Sequence, residues 1–173
     1  MNNAKDEVDN PEKSLKFINL AFQETRNVFS HFRRIVEELK PVEIEERGLV
    51  SALKNQFGKF IHGGIKIEFN HHGIEESVVN NSKYATEIYR ICLQAINNSV
   101  SHGKADEIIV NLHLVDNVIK LYVMDNGIGC MEIKQKSGLK NMEDRVRNFG
   151  GEISFYSPEY GGFNVVVKIP VNL

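Results

Sequence analysis

The chain lacks any marked imbalance of charge. Its 173 residues carry 21 Lys and Arg against 23 Asp and Glu, so the basic footprint of a nucleic-acid-binding protein is missing. No apolar run approaches the roughly 20 residues that span a bilayer. No direct membrane contact is therefore expected of this chain, which leaves the anchoring of a full-length protein open. The opening residues, Met1-Asn2-Asn3-Ala4-Lys5-Asp6-Glu7, lack the apolar core of a secretory signal. Cysteine is scarce. Cys92 and Cys130 lie far apart, show no metal-ligand spacing, and point to a reducing compartment. There is no internal repeat and no low-complexity tract. What remains, at 42% hydrophobic and 25% charged residues, is the composition of a cytoplasmic globular domain, with room for one extra helix.

Residues 1–13 are polar and aperiodic and read as a flexible leader. From 14 to 40 the pattern is helical: Leu15, Ile18, Phe22, Thr25, Phe29, Phe32, Val36 and Leu39 recur at three- and four-residue steps. Ser14 can cap this helix and Pro41 stops it. Some 26 residues give a rod of roughly 39 Å, long for so small a domain. Its apolar face needs a cover, either its own domain or a second copy in a helical bundle.

Residues 41–47 form an acidic connector, and residues 48–173 read as one globular domain. Helices are expected over 48–61, 82–102 and 139–149, and strands over 65–69, 107–114, 118–124, 152–156 and 163–169. Asp116-Asn117 is a hairpin signal, and Gly63-Gly64 and Gly150-Gly151 end helices. The fold class is α+β: a two-layer sandwich with helices on one side of a mixed, largely antiparallel sheet.

Three groups of residues carry chemistry. Gln94, Asn98 and His102 are spaced by four and share one face of the 82–102 helix. A polar stripe there lines a wet or ligand-filled cleft, or is simply a solvent face. An Asn oxygen suits a magnesium ion that keeps most of its waters, and His102 can donate to a phosphate. Asp125 ends a strand where a carboxylate can accept from an exocyclic amine. Gly127 and Gly129 behind it allow close approach of a flat ring, although Asp-Asn-Gly is also an ordinary turn. Gly138 starts a helix, where backbone N–H groups face an anion or merely cap the chain. Lys140 can reach the same anion.

In this order and spacing the three groups resemble the GHKL (Bergerat-fold) ATPases, and among them the catalytic domain of sensor histidine kinases. Asn98 is similar to the asparagine of the N box, and Asp125-Asn126-Gly127-Ile128-Gly129 to the G1 box. Gly138 through Val146 looks like the G2 box and its helix, and Gly161-Gly162-Phe163 like the turn before the last strand. The spacing Pro-x6-Gly-Leu-x2-Ala-Leu, from Pro41 to Leu53, resembles the connector of DesK-like kinases.

The resemblance implies ATP and Mg2+ as cofactors. Gln94, Asn98 and His102 would then be catalytic, with Asn98 on the metal. Asn98, His102, Asp125, Gly127, Gly129, Gly138, Leu139, Lys140 and Met142 would bind ATP. It implies that residues 14–40 are the second helix of a dimerisation region, with a homodimer and a response regulator as partners. The phosphoacceptor histidine would lie on a helix that this chain does not contain. His31 has no acidic residue after it and is a poor acceptor, and His62, His71 and His72 read as surface residues.

The chain departs from the family at two positions: Gln94 stands where a glutamate is usual, and Lys136 where a glycine is. Losing the carboxylate removes a group for activating or orienting the attacking atom. It should spare nucleotide binding more than turnover. The alternative is a binding module that acts by holding a partner protein. Anti-sigma-factor kinases lack the long helix, and gyrase-like or Hsp90-like ATPases need a carboxylate to activate water, so both fit less well.

Overall fold

A computed structural model describes residues 14–25, 28, 42–74, 77–133 and 137–171. The chain divides into two units, Met1–Lys40 and Pro41–Leu173. In the first, residues 14–25 (α1) are helical, as is Val28. The expectation of a helix through residue 40 otherwise falls outside the described residues, as does His31.

Among the described residues, the second unit is a five-stranded sheet carrying three α-helices. The helices are α2 (Val42–His62), α3 (Lys83–Ser101) and α4 (Ser137–Arg147). The strands are β1 (Lys66–His72), β2 (Glu107–Val115), β3 (Val118–Asp125), β4 (Glu152–Tyr156) and β5 (Asn164–Pro170). Their order is β1-β2-β3-β5-β4. Only the β1–β2 pairing is parallel. The expected mixed, largely antiparallel α+β sheet is what forms.

Alternation writes the core. Val110, Leu112, Leu121, Val123, Val165 and Val167 point to one face and are buried, and they sit opposite one another across three strands. The helices cover this face: α3 contacts α2, α4 and β3, and α4 contacts β4 and β5. The hairpin between β2 and β3 turns at Asp116 (φ 52°) and Asn117 (φ 57°). Positive φ at both central residues is what a twisted two-residue hairpin requires, and Asp and Asn tolerate it.

Apart from shifts of one to three residues at element ends, such as β1 running to His72, three features differ from expectation. The acidic stretch 42–47 is itself helical and joins the following helix across a kink at Gly48 (φ 78°, ψ 170°). There Asn80 sits where a side chain at residue 48 would be, and its Oδ1 accepts from Val50 N at 3.3 Å. Residues Val78–Asn81 form a short 3-10 turn that no periodicity announces. Finally, α4 begins at Ser137, so Gly138 lies inside its first turn rather than before it.

Candidate nucleotide site

The alternation that buries Leu121 and Val123 continues to Asp125, so this carboxylate points to the helix-covered face of the sheet. An ionised carboxylate only accepts hydrogen bonds, and here its donors are fixed. Oδ1 accepts from Gly127 N at 2.8 Å and from Phe163 N at 3.1 Å. Oδ2 accepts from Ser99 Oγ at 2.6 Å. Three donors from the turn, the β4–β5 loop and α3 thus hold Asp125 in one orientation. Such a carboxylate can take one more donor, such as a ring amine, without moving.

Glycine makes the surrounding backbone possible. Gly162 N donates to Gly127 O at 2.7 Å, which brings the β4–β5 turn against the segment after β3. A Cβ on Gly127 would run into Gly103 O, and one on Gly162 into Asp125 O. Ser157 fastens the same junction: its hydroxyl donates to Gly162 O at 2.7 Å and accepts from Cys130 N at 2.9 Å. Sequence reading missed both serines. Ser99 is a small residue on the buried face of α3. Its signal was a hydroxyl on a buried face, which has to find a partner.

The polar stripe of α3 is only partly a unit. Gln94 Nε2 donates to Asn98 Oδ1 at 3.0 Å, and both side chains are half-buried. The start of α4 lies over them. A Cβ on Gly138 would stand 3.3 Å from Gln94 Nε2 and 3.8 Å from Asn98 Nδ2. His102, the C-cap of α3, is exposed, and so is Lys140 in the first turn of α4. Leu139 is half-buried, while Met142 faces inward as part of the hydrophobic core. Lys136 lies outside the described residues.

A shared carboxylate ties α4 to α3. Glu87 Oε2 meets Arg145 Nη1 and its Oε1 meets Arg90 Nη1, both at 2.7 Å. All three side chains are mostly buried. This is another feature that sequence reading missed, because Glu87 and Arg145 are 58 residues apart.

No cluster of three or more His, Cys, Asp or Glu among the described residues could hold a metal. A divalent cation at this site would therefore depend on phosphate oxygens, water and the Asn98 amide oxygen. That oxygen fits the role by type, but it is already engaged by Gln94.

A carboxylate fixed by α3, the Gly127–Gly162 contact beside it and the first turn of α4 over an amide pair are thus arranged along one helix, α3. The family model for histidine kinase-, DNA gyrase B- and HSP90-like ATPases matches residues 83–173. The chain belongs to that family. It is 28% identical over 167 residues to the sensor histidine kinase LiaS of Bacillus subtilis, covering 94% of this chain and 45% of the relative. It is 25% identical over 164 residues to the histidine-protein kinase/phosphatase DegS of Brevibacillus brevis, covering 92% and 42%. The chain thus spans less than half the length of these relatives.

Among solved structures, the histidine kinase domain of the Erythrobacter litoralis EL346 blue-light kinase superposes with a TM-score of 0.57 at 20% identity. The match covers 72% of this chain and 61% of that one. The ATP-binding domain of Mycobacterium tuberculosis PrrB gives 0.53 at 18% identity, covering 68% and 88%. These two likenesses establish the fold. Among the described residues, no helix is long and apolar enough to cross a membrane.

Proposed function

We propose that this chain is the ATP-binding catalytic domain of a cytoplasmic sensor histidine kinase. The observation that carries the reading is Asp125, held by three donors beside the Gly127–Gly162 junction. Its free acceptor capacity suits the adenine amine, and glycine at 127, 129 and 162 lets the backbone close around it, since a Cβ at each would run into backbone or Ser157. The phosphates would run toward α4, whose first turn carries no acidic residue and whose N–H groups favour an anion. Gly138, Leu139 and Lys140 would line that end, with Asn98 and His102 on the opposite wall and Met142 packed beneath.

The reaction would form a bond from a histidine nitrogen to the γ-phosphorus and break the bond to the leaving ADP oxygen. Positioning and charge neutralisation supply most of such catalysis. Mg2+, when bound, would neutralise the phosphate oxygens; Asn98 Oδ1 is the amide oxygen that could hold it, once turned away from Gln94 Nε2. The acceptor histidine would come from a helix that is not among these 173 residues, and an aspartate of a response regulator would receive the phosphoryl group next. A homodimer through the N-terminal helix is part of the proposal. Leu15, Phe17, Ile18 and Leu20 on α1 are all more than half exposed, which supports it. No nucleic-acid partner is proposed.

The second reading is a nucleotide-binding module that acts by holding a partner protein. It is favoured by Gln94, which is neutral and donates to Asn98, so it cannot serve as a general base. Calorimetry with ADP separates nucleotide binding from none: the wild type should bind, and Asp125→Asn should not. Labelled ATP plus an acceptor helix from a related kinase then distinguishes the two readings, because only the first gives phosphorylated acceptor.

A further inference from the structure

A side-chain amide has one atom that donates and one that accepts. In the Gln94–Asn98 pair the Asn98 oxygen is taken up by Gln94 Nε2 at 3.0 Å. The Asn98 atom nearest the start of α4 is the donor, Nδ2, 3.8 Å from the position of a Gly138 Cβ. Gln94 Nε2 lies closer still to that position, at 3.3 Å. The wall facing the helix start is therefore made of N–H groups, the chemistry that receives a phosphate oxygen rather than a cation.

We propose that Gln94 tunes this site toward the metal-free nucleotide, by holding Asn98 as a phosphate donor and withholding its oxygen from a divalent cation. The proposal rests on the nucleotide reading above. Two physical effects act in the same direction. For Asn98 to turn Oδ1 toward the start of α4 in place of Nδ2 and keep its bond to Gln94, both amides must turn over together, so that Gln94 accepts where it now donates. Gln94 also brings no charge, while a dication gains from every nearby carboxylate. A glutamate at position 94 would reverse both effects. It can only accept, so Asn98 would have to give it Nδ2 and turn Oδ1 outward, and its charge would attract the cation.

Calorimetry with ADP, in excess magnesium and in EDTA, tests this on the wild-type chain and on Gln94→Glu. For wild type the two affinities should agree within about threefold. For Gln94→Glu, binding in EDTA should weaken and magnesium should restore it by about tenfold or more, as an added carboxylate near a dication requires. Circular dichroism confirms that the variant is folded, and the wild-type comparison needs no variant at all. A wild-type enhancement by magnesium as large as that of Gln94→Glu would overturn the proposal while leaving the nucleotide reading intact. Absence of ADP binding by wild type in both buffers would overturn the nucleotide reading, and this proposal with it.

Discussion

The Ser99 hydroxyl on α3 donates a 2.6 Å hydrogen bond to Asp125 Oδ2 at the end of β3. It joins the helix layer to the sheet at the point where the adenine ring is proposed to sit. The same hydroxyl lies 3.1 Å from Ala95 O, so Ser99 is held from its own helix as well. Removing it should leave Asp125 anchored only by Gly127 N and Phe163 N.

Ser99→Ala should therefore weaken ADP binding by about 1 kcal/mol, roughly fivefold, the usual worth of one such hydrogen bond. Thermal unfolding should change little, since the freed carboxylate oxygen can be solvated. An unchanged dissociation constant in calorimetry would show that Asp125 keeps its orientation without the serine.

The Glu87 carboxylate between Arg90 and Arg145 predicts a stability effect. Its side chain is only 16% exposed and the two arginines 16% and 23%. Glu87→Ala takes a shared carboxylate from two partly buried cations and should cost about 1–3 kcal/mol, less than a fully buried break. Glu87→Gln should cost less, because it keeps an acceptor oxygen. Urea denaturation measures both, and equal midpoints for wild type and Glu87→Ala would refute the idea that this pair ties α4 down.

Two glycines make a controlled contrast. Gly150 has φ 66° and open space around a Cβ, while Gly127 would place one against Gly103 O. Gly150→Ala should cost about 1 kcal/mol of backbone strain and leave ADP affinity alone. Gly127→Ala must push apart the junction beside Asp125 and should lose ADP binding. Equal behaviour of the two variants in calorimetry would contradict the packing.

The cysteines should separate in reactivity. Burial pushes the Cys92 thiol far above its ordinary range, whereas Cys130 is exposed. A thiol reagent should modify one cysteine quickly and the other only on unfolding. The sign for stability follows from linkage. Folded Cys92 keeps its proton where the unfolded chain releases it, so the contribution is full below about pH 8.5 and declines above it by about 1.4 kcal/mol per unit. Urea titrations between pH 8 and 10 should show this decline, and Cys92→Ala should flatten it.

Much of the fold was legible because its elements are local. The 3.6-residue period of Ile88, Ile91, Cys92 and Ala95, the alternation through Leu121 and Val123, and Asp116-Asn117 are short-range signals. Boundaries were less so. The kink at Gly48 packs against Asn80, from a distant part of the chain, so neighbouring residues could not reveal it.

The sequence by itself determined which residues could form the site: the four-residue spacing of Gln94 and Asn98, a carboxylate at a strand end, and glycines where backbone must approach. Periodicity and turn chemistry need only the neighbouring chain. Tertiary structure alone decided what those residues do to one another. Ser99 reaches Asp125 from 26 residues away, Glu87 takes Arg145 from 58, and Gly162 closes on Gly127 from a different loop. Such pairs depend on layer packing and sheet register, which no local pattern records. Nor could spacing show which atom of the Asn98 amide faces the helix start, because an amide is turned by its hydrogen-bond partner.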